Sequence, residues 1–281
     1  MRLRRGFTLI EVLVAMTIMG IVTGAVYKLL VNSQRLSLAQ AEQVSLQSNV
    51  RTGSLVVPNE LRELNTVLAG SVPQNDIITN NANLIEYRAM RGLGFACQTA
   101  AAGATTLRIA KSSWTGLRDP AANSDNLYVF VDGDEQDVDD DVWQQVAVTA
   151  VSSGNNCGGT SSFDLTVGAL PAVTLNTPVR LFEVMELKLH QADGQWWLGA
   201  RSVKTGENTQ PVLGPLTAGG FALTYLGSNG AVTADKNAVK SIRVSVRGLT
   251  EDAVRANGSG TLGRPEETLV TQVLLRNSIR P

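Results

Sequence analysis

Apolar residues are not spread evenly along the chain. They run almost unbroken from position 7 to position 31, 25 residues in which only Glu11 and Lys28 are ionisable. A helix of about 20 residues crosses a hydrocarbon core about 30 Å thick, and Lys28 stands far enough along to snorkel to an interface. The run exceeds the apolar region of a secretory signal and has no small-residue exit site at its far end. Arg2, Arg4 and Arg5 precede it, which predicts a cytoplasmic N-terminus and a translocated C-terminal bulk. Past position 31 the helical pattern continues in mainly polar sequence, with a narrow apolar stripe at Leu38, Ala41, Val44 and then Leu46 or Val50. A helix over 7–57 would be about 77 Å long. Pro58 predicts a kink or an interruption, with helical spacing resuming at Leu61, Leu64 and Leu68.

From Gly70 the pattern changes to short β-rich runs separated by Gly, Asn, Asp, Ser and Pro. The segments 84–88, 106–110, 127–131, 143–151, 163–167, 179–190, 195–200, 221–226, 241–247 and 269–275 read as strands. Ile242, Val244 and Val246 alternate with Arg243, Ser245 and Arg247, and Met185, Leu187 and Leu189 alternate with Glu186, Lys188 and His190. Each of these strands has one wet face. Asp193-Gly194 and Asn229-Gly230 predict tight hairpin turns. The predicted fold class is α+β: a long N-terminal transmembrane and stalk helix, then an antiparallel β domain of one or two sheets.

Charge and composition narrow the chemistry. With 24 Lys and Arg against 25 Asp and Glu and a pI near 5.9, no basic face is available for nucleic-acid binding. A single histidine, His190, excludes zinc sites built on several imidazoles and leaves nucleophilic catalysis resting on one residue. It sits on a wet strand face with no companion nucleophile, so it reads as a surface histidine, and no cofactor or metal is expected. Gly92-Leu93-Gly94 and Gly258-Ser259-Gly260 read as loops. In Trp196-Trp197 one ring is predicted to be core and the other exposed. The acidic run from Asp132 to Asp141 is either a solvated turn or a calcium ligand set, and its glycine and glutamate positions do not fit an EF-hand. Cys97 and Cys157 lie in loop-like sequence beyond the membrane helix, in an oxidising compartment by the predicted topology. A structural bridge is favoured over two free thiols, closing a loop that is worth about 4 kcal/mol in the chain-entropy model.

Glu11 carries the most information. A charge within a membrane helix costs on the order of 2.5–3.5 kcal/mol even on a lenient scale, so it needs a partner. No cation stands at helical spacing on its C-terminal side. The partner is therefore upstream or on another molecule, or the carboxyl stays protonated. Gly20 and Gly24 form a G-x-x-x-G, which allows close helix approach in lipid.

The string Arg4-Arg5-Gly6-Phe7-Thr8-Leu9-Ile10-Glu11-Val12 resembles the processing site of type IV prepilins and type II secretion pseudopilins. The resemblance covers about the first thirty residues. It implies a leader, 1–6, cut off after Gly6 by a prepilin peptidase, N-methylation of Phe7, a helix over 7–69, and a periplasmic or extracellular domain over 70–281. It also supplies a partner for Glu11: the new α-amino group at Phe7 of an adjacent subunit, paired as helices pack in a filament. Later segments, Gln210 to Leu213, Leu216 to Leu226 and Ile242 to Val246, are similar to the larger PilW-like and GspJ-like minor pilins and pseudopilins. The partners implied are other major and minor pilins or pseudopilins, an inner-membrane assembly platform and membrane lipid. The expected function is a non-catalytic subunit that initiates or caps a pilus-like fibre. The alternatives are a secretion or DNA-uptake pseudofilament, or a tethered enzyme or adhesin that uses the helix as an anchor.

Overall fold

A computed structural model describes residues 8–66, 68–69, 72–73, 75–133, 136, 141–255 and 261–276. One helix, α1 (Leu9–Arg62), leads the chain. The strands are β1 (Leu68–Ala69), β2 (Val72–Pro73), β3 (Ile77–Asn81), β4 (Leu84–Phe95), β5 (Thr106–Ala110), β6 (Thr115–Gly116), β7 (Asp125–Val131), β8 (Val142–Cys157), β9 (Thr160–Val167) and β10 (Pro178–Ala192). They continue as β11 (Gln195–Ser202), β12 (Gln210–Leu226), β13 (Ser241–Leu249), β14 (Val254–Arg255), β15 (Leu262–Gly263) and β16 (Glu266–Leu274). The chain divides into two compact units, residues 1–48 with 249–266, and residues 49–248 with 267–281.

In the first unit α1 is accompanied by the antiparallel pair β14 and β15. The Asp252 N–H donates to Glu42 Oε2 at 3.2 Å, and the Thr250 N–H donates to the Pro265 carbonyl.

The second unit is built on β10. Along one edge it pairs with β4 over nearly its whole length. Along the other it pairs with β7 through residues 179–183 and with β11 through residues 185–192. The strand order is β16-β13-β12-β11-β10-β7-β8-β9-β5, with β3 and β6 on the outer edge of β4. β8 is shared in the same manner. Its residues 142–147 pair with β7 and its residues from 148 onward with β9, so two antiparallel sheets meet along it. The α+β class is as predicted, and of the one or two sheets expected the chain forms two.

Two apolar cores follow from this branching. One gathers Leu187, Leu198, Leu223, Ile242 and Val244 with Val57 and Leu61 of α1. The other gathers Leu107, Leu127, Val148, Leu165, Val179 and Leu181. β10 contributes to both, through Val179 and Leu181 at its start and Leu187 further on.

The α1 face that packs in this second unit is Val50, Gly53, Ser54, Val57, Pro58 and Leu61, all buried at spacings of three and four. The approach is close. A Cβ at Gly53 would overlap the Leu213 side chain and stand 3.4 Å from Val246 Cγ1. Asn49 Nδ2 donates to the Gly214 carbonyl at 3.1 Å.

Three expectations are corrected here. First, Pro58 does not interrupt the helix, which continues through it to Arg62. Pro58 lies on the packed face between Val57 and Leu61, 2% and 0% exposed, and burial at about 1.5–3 kcal/mol for each large side chain offsets the about 3 kcal/mol proline penalty. Second, Leu68 belongs to strand β1 and not to a resumed helical turn. Third, the packed stripe begins at Leu46 and Val50, whereas Leu38, Ala41 and Val44 are exposed.

The strand predictions hold, and several strands are longer than expected. The polar run Ser152 to Asn156 extends β8, and Gln210 to Gly220 extends β12. β3 was not predicted. Asp193 and Gly194 have φ of 51° and 75° and close a tight hairpin between β10 and β11. Asn229-Gly230 makes a turn closed by the Gly227 and Ala231 backbone, but β13 begins only at Ser241, after a 3₁₀ turn at Lys236–Ala238.

Candidate functional site

The start of α1 is the first candidate. Thr8 precedes the helix with its side chain and backbone turned to Glu11: Glu11 Oε2 accepts from the Thr8 N–H at 3.1 Å and from Thr8 Oγ at 3.0 Å. The Glu11 N–H donates back to Thr8 Oγ at 3.4 Å. This is a capping box, in which the N-cap threonine and the glutamate three residues on satisfy each other's orphan groups. Within the single chain Glu11 is thus held by its own helix terminus, an upstream partner that is a neutral donor and not a cation. The spacing Thr-x-x-Glu before an apolar run was the available signal. Gly6 and Phe7 lie outside the described residues.

Past the cap, the apolar window of α1 has a mean hydropathy of 2.2 and none of it is buried. Leu9 is 82% exposed and Ile21 73%. A contiguous apolar surface of this kind on a folded chain marks a membrane or protein contact. Gly20 and Gly24 open onto unoccupied space, with nothing within 4 Å of where a Cβ would stand.

A second cluster lies in the sheet unit, at the point where the edge of β10 changes partners. Arg91 of β4 reaches Glu60 of α1 at 3.0 Å through Nη1 and Glu183 of β10 at 3.2 Å through Nε. Arg118 reaches the same Glu183 at 3.1 Å and forks onto Asp125 with bonds of 2.5 and 2.7 Å. Tyr87 donates to Glu60 Oε1 at 3.2 Å, and Lys204 Nζ donates to the Asp125 carbonyl at 2.8 Å. Burial pushes the Glu183 carboxyl up, but Ser202, Arg91 and Arg118 outweigh it and hold it below the usual carboxylate range. Burial pushes the Tyr87 phenol well above its ordinary value. Two guanidiniums, Arg91 and Arg118, bridge three carboxylates, Glu60, Glu183 and Asp125, so the cluster is an ion-pair network tying α1, β4, β7 and β10 together. None of its members was singled out from the sequence, because residues 60, 91, 118, 125 and 183 meet only through the topology.

The remaining candidates take structural places. Cys97 and Cys157 are bridged, with Cα atoms 5.4 Å apart, linking the segment after β4 to the β8–β9 turn. His190 is half-buried rather than exposed, because it lies opposite Trp197 and against Gly199. On the supposedly wet face Glu186 is buried, paired with Lys188 at 2.8 Å and Arg201 at 2.7 Å. Trp196 packs against the first core. Trp197 is half-buried as well, lying on Gly214 and donating to the Ala192 carbonyl at 3.3 Å. Gly92 and Gly94 are strand residues and not loop: their bare Cα atoms seat the indole of Trp114. Most of the acidic run from Asp132 to Asp141, and all of Gly258-Ser259-Gly260, lie outside the described residues. Among the described residues no group of three or more His, Cys, Asp or Glu is placed to hold a metal ion.

Comparison with known proteins singles out the N-terminus. A protein-family model, the prokaryotic N-terminal methylation motif, matches residues 1–27. No curated protein and no solved structure matches the chain. The chain thus carries a type IV pilin-like N-terminal signal that continues into an exposed apolar helix, the make-up of a membrane-anchored, single-pass, pilin-like protein.

Proposed function

We propose that the chain is a minor pilin or pseudopilin, a non-enzymatic subunit that initiates or caps a type IV pilus-like filament. The observation that carries this reading is the methylation motif running directly into a helix whose apolar surface is wholly unburied in the single chain. Such a helix is stored in the bilayer and then packed among its neighbours in the fibre core. The leader up to Gly6 is removed by prepilin peptidase on the cytoplasmic side, Phe7 becomes the methylated N-terminus, and the sheet unit is translocated. Glu11 pairs with the Phe7 amine of the adjacent subunit and sets the register, since a charge pair in a low-dielectric interior costs several kcal/mol to break from one side. Other pilins or pseudopilins and an inner-membrane assembly platform are the partners. The PilW-like or GspJ-like minor type is favoured by the size of the sheet unit.

Mass analysis of the native protein tests the reading: the expected mature chain starts at a methylated Phe7, and any other start overturns it. Glu11→Val should leave cleavage after Gly6 intact and stop incorporation into fibres. A secretion or DNA-uptake pseudofilament is the second reading, favoured by the same motif, and is told apart by which process fails when the gene is deleted.

A further inference from the structure

We draw no further inference here: the strongest candidate, the cleft between the last turns of α1 and the β4–β6 edge, lined by Glu60, Glu63, Leu93 and Leu117 among others, has its two carboxylates already paired within the chain to Arg91 and Arg276, and nothing in the structure shows what covers its exposed leucines.

Discussion

Thr8 and Glu11 hold each other in both directions across the first turn of α1, the carboxylate taking the Thr8 N–H and hydroxyl while its own N–H returns to that hydroxyl. Glu11 therefore has a local role, starting the helix, as well as the intersubunit role proposed above. The two roles separate by mutation. Thr8→Ala removes half of the cap at a cost of about 0.5–2 kcal/mol and leaves the carboxylate in place. Thr8→Ala is expected to enter fibres, at a reduced yield, where Glu11→Val does not, as read by immunoblot of sheared filaments. Equal failure of both variants would assign the whole effect to the cap.

Asp76 gives the sheet unit a pH dependence of unusual sign. Its carboxylate is buried where the chain leaves α1, accepting from the Asn65 N–H at 2.8 Å. Burial raises its pKa from 3.8 to about 6, against the lowering by Asn65, Arg180 and Arg88. The folded chain therefore holds this proton more tightly than the unfolded chain does. The contribution is complete below about pH 4 and disappears as pH rises through about 6, a loss on the order of 2–3 kcal/mol. Unfolding free energies from urea titrations at pH 5 and pH 7.5 should differ by about 1.4 kcal/mol, the share of that loss that falls in this interval, and Asp76→Asn should flatten the difference. A wild-type midpoint that rises across this interval would contradict the assignment.

Glu183 acts in the opposite direction. Its pKa is held below the ordinary value, so its stabilisation is present above about pH 4.5 and lost as pH falls through the folded value. Removing its partner is the sharper experiment. Arg91→Met leaves Glu60 without its cation and Glu183 with Arg118 alone, and a cost of up to about 3–5 kcal/mol is expected. Adding Glu183→Gln to Arg91→Met should recover part of that loss in denaturant titrations. Simple additivity of the two substitutions would mean that the network is not coupled.

The Cys97–Cys157 bridge spans a sequence separation of 60 residues, for which loop-closure entropy predicts about 4 kcal/mol. The double Cys→Ser variant should unfold at a lower denaturant concentration by a corresponding amount. A shift under about 1 kcal/mol would place the denatured chain in an already compact state.

Much of this architecture is legible in the residues themselves. The span and the alternation at Ile242, Val244 and Val246 are local patterns, and so is the Asp193-Gly194 turn, which needs only two residues that tolerate positive φ. What escaped depends on distant chain. Ser152 to Asn156 has no strand propensity, yet it is strand because β9 lies beside it. Pro58 should break a helix, yet the packed face on either side of it prevents that. The Glu60, Arg91, Arg118, Asp125 and Glu183 network consists of ordinary surface residue types until β10 brings them together. The Thr8–Glu11 cap is local as well, since the Thr-x-x-Glu spacing is a capping box whether or not the glutamate also stands in lipid.

The branching of β10 has a mechanical consequence. Both cores hang from one ribbon, and β4 is zipped along the opposite side of that ribbon past the branch point. Sliding one half past the other would shear that zipper along its length, whereas peeling would have to start at an end. Parting the two halves at the branch point therefore breaks the β4 hydrogen bonds together and not one at a time.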